Sequence, residues 1–155
     1  MMVRMDNWID LRKIIPDLSR GSCLHVVNVH PDALVNLLTE NGFSVFTING
    51  SEITDKESFF LHVKNVFNFP AHFGKNWDAW TDCLGDFERS LTSETAIIWK
   101  DADKSFLSES QTFIQAVNDL YNTVMHASLN YYQVELFIVG SSPGFKNVLK
   151  LDSIK

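Results

Sequence analysis

Short apolar runs alternate along the chain with segments whose apolar residues recur at helical spacing. The apolar runs lie at residues 23–30, 43–48, 95–100 and 132–140. The segment 113–124 gives the helical pattern, because its apolar residues recur with a period of about 3.6. Strands that read as continuous apolar runs and alternate with helices are typical of a parallel sheet covered by helices. We therefore predict a single α/β domain with a four-strand, mostly parallel sheet flanked by helices.

Residues with special backbone properties mark where the predicted helices begin and end. Pro31 stands at a first helical position, and Gly42 follows the end of the helical stretch after it. Asn76 is a good N-cap for a further helix that runs to about Arg89. Two other helices are predicted to begin at capping-box spacings, formed by Thr54 with Glu57 and by Ser108 with Gln111. A short helix is also expected over residues 8–15.

The helix predicted after Asn76 has two chemically different faces. At ~100° per residue, with Trp77 at zero, the large apolar side chains fall on one side: Trp80, Leu84, Phe87 and Leu91. Three carboxylates fall nearly opposite: Asp78, Asp82 and Asp86. Like charges spaced i,i+4 destabilise a helix by roughly 0.2–0.5 kcal/mol per pair, and Arg89 can offset part of this near Asp86. We therefore expect the apolar face to pack on the sheet and the acidic face to meet water.

A run of charge on a helix is usually only a solvated face. Here the loop His72-Phe73-Gly74 comes directly before the helix and adds aromatic side chains beside the carboxylates. Aromatic anchors next to charge-pairing groups are typical of the centre of a protein–protein interface. The segment is therefore interpreted as a helix with one structural face and one partner-binding face.

Composition narrows the class of partner. The chain of 155 residues has a formal net charge of -6 and a sequence pI of about 5.2. This charge argues against a nucleic-acid partner and permits a basic protein partner. No stretch approaches the ~20 apolar residues of a membrane span, and the first 20 residues contain no apolar signal-peptide region. We expect a cytoplasmic protein that is a monomer when free.

Catalysis and metal binding find little support in the sequence. His72, Asp78 and Asp82 have a spacing that matches no defensible ligand set, and Cys23 and Cys83 fit no metal or redox motif and are expected to be buried thiols. The stretch GSSPGFK (140–146) follows a strand but is two residues short of a phosphate-binding loop. We therefore expect no catalytic residue, no metal, no cofactor and no enzymatic activity.

The segment FPAHFGKNWDAWTDCLGDF (69–87) resembles the signature of the barstar family, the intracellular inhibitors of barnase-type ribonucleases. The matching positions are Pro70, Phe73, Gly74, Asn76, Asp78, Ala79, Asp82, Cys83 and Leu84. A weaker similarity extends over residues 43–140. Residues 1–42 resemble the extra N-terminal strand–helix unit of longer members. The implied organisation is an N-terminal extension, 1–42, packed on a barstar-like core, 43–150.

The resemblance implies an immunity-type inhibitor whose helix and preceding loop block the active site of a basic ribonuclease. The implied contacts are His72 and Phe73 as an aromatic pair, Asn76 as the loop-to-helix support, Asp78 and Asp82 on the helix, and Asp119 on a later helix. Two positions depart from the family: His72, where Tyr is common, and Thr81, where the barnase inhibitor has Trp. The target is therefore expected to differ from barnase. A regulatory module with a non-ribonuclease target is the alternative, because a fold does not fix its partner.

Overall fold

Our computed structural model describes residues 9–15, 18 and 23–141. In this part of the chain, four parallel strands form the central sheet, in the order β1-β4-β3-β2. The strands are β1 (Leu24–Val27), β2 (Ser44–Asn49), β3 (Thr95–Lys100) and β4 (Val134–Val139). The two central strands are buried almost throughout, as their continuous apolar runs require. The prediction of a four-strand, mostly parallel α/β sheet is confirmed, and every strand pair is parallel.

Five α-helices accompany the sheet in the described part of the chain. They are α1 (Pro31–Glu40), α2 (Lys56–Val66), α3 (Trp77–Arg89), α4 (Ala102–Ser108) and α5 (Ser110–Asn130). Pro31 is the first residue of α1, and Gly42 follows that helix with a φ of 90°, in the left-handed region that glycine adopts at low cost. Both predicted helix boundaries are confirmed.

The two faces of the sheet carry cores of different composition. Against one face, α1 contributes Leu34 and Leu38 to a mainly aliphatic cluster. Against the other, α2, α3 and α5 build a larger cluster rich in aromatic rings, with Phe59 and Trp99 among its members. Such rings prefer tilted or edge-to-face contacts, which fix their mutual orientation. The aromatic cluster therefore sets where α3 lies on the sheet.

The N-terminal strand–helix unit belongs to the same sheet. β1 pairs with β4, so β1 and β2 lie at opposite edges although they follow each other in the sequence. A buried polar pair joins β1 to β4, with His25 Nε2 and Glu135 Oε1 2.7 Å apart. The side chain of Gln133 accepts a hydrogen bond from the backbone N–H of Ile9 and donates one to its carbonyl. The described residues before position 43 are thus integral to the fold, while the boundaries 1–42 and 43–150 stay a prediction.

Three local predictions were wrong. The capping box of α2 is formed by Asp55 and Ser58, one position after the predicted pair, because the Asp55 carboxylate accepts from the backbone N–H of Ser58. Ser108 ends α4 instead of capping the long helix. α5 begins after Glu109, whose side chain makes no cap hydrogen bond. In the segment predicted as helix over 8–15, residues 11–13 form one turn of 3-10 helix, and residue 8 lies outside the described residues.

Candidate partner-binding site

The first residue of the site is the N-cap of α3. Asn76 has an extended backbone (φ -149°, ψ 168°), and its side-chain Oδ1 accepts a hydrogen bond of 2.8 Å from the backbone N–H of Ala79. This bond satisfies one of the helix N–H groups that have no partner within the helix. Asn76 therefore fixes the point at which the loop becomes helix.

One face of α3 is buried in the aromatic core. Trp80 is fully buried, Leu84 is 2% exposed and Phe87 is 8% exposed. The ring centroid of Trp80 lies 5.1 Å from that of Phe59 and 6.2 Å from that of Phe69. The helical orientation expected from the apolar period is confirmed, and Leu91 packs against the same cluster just beyond the helix end.

The opposite face of α3 presents three exposed carboxylates, which are not equivalent. Asp86 accepts a hydrogen bond from the Arg89 guanidinium, in the i,i+3 pair that the sequence suggested. Asp78 and Asp82 are exposed, and among residues 9–15, 18 and 23–141 no Lys, Arg or His lies within ion-pair distance of either. The uncompensated negative charge of α3 is therefore concentrated in its first two turns.

The loop before α3 divides its two predicted contact residues between surface and core. His72 is exposed, whereas Phe73 is 8% exposed and packs on the rings of Phe69 and Phe60, at centroid distances of 5.1 and 6.2 Å. The backbone N–H of Phe73 donates to the carbonyl of Pro70, which closes the turn. The side chain of Phe73 thus anchors the loop, and only His72 of this pair presents its side chain to solvent.

Asp119 lies on α5 and is half-buried. Its Oδ2 accepts two hydrogen bonds of 3.0 Å, one from the indole Nε1–H of Trp80 and one from the side-chain amide of Gln115. The sequence placed Asp119 away from the apolar stripe of α5, and the structure brings it to the junction of α5 with α3. The Gln115–Asp119 bond follows a favourable i,i+4 spacing that is visible in the sequence. The bond to Trp80 joins residues 39 positions apart, and no local pattern signals it.

Two small side chains, those of Thr81 and Cys83, flank Asp82 in the sequence. Thr81 is exposed, and its hydroxyl donates to the carbonyl of Trp77 one turn earlier in the same helix. Cys83 is half-buried and not disulfide-bonded. Burial raises the pKa of the Cys83 thiol, and the carboxylates of Asp86 and Asp82 raise it further. Because the thiolate is the nucleophile, this environment opposes reactivity at Cys83.

Other kinds of site were sought in the part of the chain that the structure describes. No group of three or more His, Cys, Asp or Glu side chains there is arranged to hold a metal ion. None of the helices in that part has both the length and the apolar character needed to cross a membrane. Cys23 is half-buried, and burial next to Glu135 raises the pKa of its thiol to about 12. Both cysteines are thus thiols, although neither is as fully buried as expected. Of the stretch 140–146, only Gly140 and Ser141 lie within the described residues.

A comparison with protein-family models finds a match that contains the whole of α3. A family described as barstar (barnase inhibitor) matches residues 43–138, more than half of the chain. The chain belongs to the barstar family. Its four-strand parallel sheet and helices are consistent with a barstar-like fold, and the resemblance noted at residues 69–87 is confirmed by a match that covers the strands around it. A comparison with curated proteins found no match.

Membership of the barstar family bears on function at a coarse level. The family is one of ribonuclease inhibitors and not of enzymes, so inhibition is the activity that it associates with this fold. The matched region includes α2, the loop, α3 and most of β4, whereas β1 and α1 precede it. All six residues that the resemblance assigned to partner binding lie inside the match: His72, Phe73, Asn76, Asp78, Asp82 and Asp119.

Proposed function

We propose that this protein is an immunity-type inhibitor that binds a basic ribonuclease and blocks its active site. The binding surface is the first half of α3 together with the exposed part of the loop before it. One observation carries the proposal: Asp78 and Asp82 lie exposed, one turn apart, with no ion-pair partner among the described residues, within the segment that the barstar family model matches. An inhibitor that protects its own cell acts in the cytoplasm, and this location is part of the proposal.

The chemistry of the target supports the use of carboxylates. A ribonuclease holds the phosphates of RNA with cationic groups, so its cleft attracts any rigid array of negative charge. Asp78 and Asp82 are spaced i,i+4, which places their Cβ atoms roughly 5–6 Å apart on one side of the helix. Oppositely charged surfaces also speed the diffusional encounter of two proteins. The two carboxylates can therefore both steer the target and replace the phosphates that it binds.

Rigidity of the site supports tight binding, because side chains that are already ordered lose little entropy on association. Asn76 fixes the start of α3, and Trp80 anchors the reverse side of the same two turns. Phe73 anchors the loop in the core and leaves its neighbour His72 exposed. In this proposal His72, Asp78 and Asp82 touch the target directly, while Asn76 and Phe73 support them.

The surface also sets limits on the target. The Asp86–Arg89 pair ends the uncompensated acidic region, so the proposed contact is confined to the first half of α3. Thr81 offers no large side chain between the two carboxylates. The barnase inhibitor has Trp at this position. A target that lacks a recess for an aromatic side chain fits the surface of this protein better, and such a target differs from barnase.

The proposal is tested by co-expression with candidate toxin-like nucleases, beginning with any that is encoded beside this gene, followed by kinetic binding and RNA-cleavage assays of the purified pair. The double variant Asp78→Ala, Asp82→Ala should lose at least about 100-fold in affinity, since truncating one partner of a buried charge pair leaves the other unpaired. The control is Asp32→Ala, Glu40→Ala, which changes the net charge equally at two exposed acids of α1. The control should inhibit normally.

Salt adds a second measurement. The association rate should fall as salt is added, because the Debye length shrinks from ~10 Å at 0.1 M to ~3 Å at 1 M. Normal inhibition by the α3 double variant would reject the site. Failure to inhibit the nuclease, combined with carboxylate-dependent binding of another basic protein, would support the alternative of a regulatory module with a non-ribonuclease target.

A further inference from the structure

Two polar links join α3 to α5, and both begin on the buried side of α3. In the first, the Trp80 indole N–H donates to Asp119 Oδ2 at 3.0 Å. In the second, the carboxylate of Glu88, in the last turn of α3, is hydrogen-bonded to the ring of His126. The links occur in the same order along both helices, so α3 and α5 run in the same direction.

The spacing of the two links matters for the position of α3. They are separated by eight residues on α3 and seven on α5, which corresponds to about 12 Å and 10 Å along a helix axis. Two attachment points at this distance resist both rotation of α3 about its axis and sliding along it. The aromatic contacts of Trp80 already orient α3, and the two hydrogen bonds add fixed donor–acceptor directions to them.

The link at Trp80 acts on the part of α3 that carries the free carboxylates. Trp80 lies two residues from both Asp78 and Asp82, on the opposite side of the helix. A buried indole N–H requires a hydrogen-bond acceptor. For the indole N–H of Trp80, that acceptor is the carboxylate of Asp119. The same carboxylate oxygen also accepts from Gln115, which holds the Asp119 side chain in place.

We propose that Asp119 is a positioning residue: its carboxylate oxygen holds the Trp80 indole and thereby fixes the rotation of α3 that presents Asp78 and Asp82. Its role is that of a hydrogen-bond acceptor inside the protein, not that of a charge offered to the target. This assignment differs from the direct contact that the family resemblance implies for Asp119. The expected effect of Asp119 on target binding rests on the proposed function. Its expected effect on α3 does not, because that effect concerns the free protein.

Three substitutions distinguish a role of Asp119 as hydrogen-bond acceptor from a role as negative charge. Asp119→Asn keeps an oxygen of similar position and removes the charge. Asp119→Ala removes both. Trp80→Phe keeps an aromatic ring and removes the N–H, so that Asp119 has no indole to hold. The matched comparator for loss of charge is Asp82→Asn, on the exposed side of α3.

The first measurement uses the free protein and needs no target. Hydrogen exchange of the Trp80 indole N–H and of the α3 backbone amides is followed by NMR. Asp119→Ala should speed this exchange by about tenfold or more, whereas Asp119→Asn should change it by less than about fivefold, as a neutral hydrogen bond is weaker than one to a charged group but still present. In a Trp80→Phe background, Asp119→Ala should change the α3 amides by less than about twofold, because the two residues act through one bond. Unchanged exchange in Asp119→Ala, or equal acceleration in Ala and Asn, would overturn the proposal.

The second measurement is affinity for the nuclease co-expressed with the protein. If Asp119 acts by position, Asp119→Asn should bind nearly as well as the wild type and far better than Asp82→Asn or Asp119→Ala. If Asp119→Asn loses as much affinity as Asp119→Ala, Asp119 acts by its charge and the inference is wrong. An absence of binding by the wild type would instead reject the proposed function, and the exchange measurements on the free protein would still decide the role of Asp119.

Discussion

The two faces of α3 differ in how completely the fold uses their side chains. On the buried face, Trp80, Leu84 and Phe87 fill the aromatic core. On the exposed face, Asp78 and Asp82 have no ion-pair partner among the described residues and pay the cost of like charges one turn apart. Within the described residues, no hydrogen bond or ion pair involves the side chain of either Asp78 or Asp82. The buried face thus accounts for the position of α3 in the fold, and the proposed function gives the exposed face a role in binding.

The other acidic residues at the contact between α3 and α5 differ from Asp78 and Asp82 in having partners inside the protein. Asp86 is paired with Arg89, Glu88 with His126, and Asp119 with Trp80. Each of these carboxylates therefore has a role within the protein. Asp78 and Asp82 stand apart from them because they have no such partner among the described residues, and the proposed function pairs their charge with a target.

The largest expected effect lies on the buried face. Trp80→Ala should lower the free energy of unfolding by ~3–5 kcal/mol, because it leaves a cavity among several aromatic rings. Urea denaturation of the wild type and the variant measures this change. Leu61→Ala, at an exposed apolar residue of α2, is a control for loss of an apolar side chain without a cavity. Comparable stability of Trp80→Ala and Leu61→Ala would show that this face does not hold the fold.

The contrast between the faces could be predicted from the sequence because it depends only on helical period. Trp80, Leu84 and Phe87 repeat at that period, and the carboxylates repeat opposite them. The N-cap role of Asn76 is equally local, since its acceptor bond spans three residues. The strand runs likewise predicted the parallel sheet, because strands buried on both faces leave a continuous apolar signature.

What the sequence missed depends on where distant elements meet. The inward direction of Phe73 follows from its packing on Phe60 and Phe69, and the capture of Asp119 follows from the arrival of α3 against α5. The predicted start of α5 was one residue too early because α4 continues through Ser108, so that Glu109 and not Ser108 precedes the first turn of α5. Local rules cannot choose between such alternatives.

A smaller effect on stability is expected at Asn76, the N-cap of α3. Asn76→Ala should cost roughly 1 kcal/mol of stability, because the backbone N–H of Ala79 loses its acceptor. Asn76→Asp should retain most of the stability, since Asp is also a strong N-cap residue. Denaturant midpoints of the two variants test this. Equal losses in Ala and Asp would mean that the cap bond does not stabilise α3, so the exposed face would be less rigid than the proposed function requires.

Part of the pH dependence of stability should come from His62, a half-buried residue of α2. His62 Nε2 accepts a hydrogen bond of 2.8 Å from the backbone N–H of Asn49, which requires the neutral ring. Burial lowers the pKa of His62, and Glu52 opposes the shift only partly. The unfolded chain therefore binds this proton first, so stability falls as the pH drops below the ordinary histidine pKa of ~6.5 and towards the lower pKa of the folded state.

The matched variant for His62 is His62→Gln, whose side chain keeps an acceptor oxygen and does not titrate. Between about pH 7.5 and pH 5.5, on either side of the ordinary histidine pKa, the denaturant midpoint of the wild type should fall more than that of His62→Gln. Equal changes would assign the pH dependence to other groups, including those on the exposed face.

The smallest expected effects on stability lie on the exposed face itself. Asp82→Ala removes a carboxylate that repels its neighbours at i±4, so the free protein should be unchanged or stabilised by a few tenths of a kcal/mol. Asp86→Ala gives up an exposed pair with Arg89, and such pairs contribute only about 0–1 kcal/mol, so its change should also be small. The two variants thus match in stability and in charge removed. They should differ in binding, because Asp86 is paired with Arg89 whereas Asp82 has no ion-pair partner among the described residues. The dissociation rate should therefore rise for Asp82→Ala and much less for Asp86→Ala. Denaturant midpoints and dissociation rates measured on both variants decide this. If Asp82→Ala unfolded more readily than Trp80→Ala, the assignment of the two faces would be reversed; if both variants dissociated alike, the acidic region would extend over the whole helix.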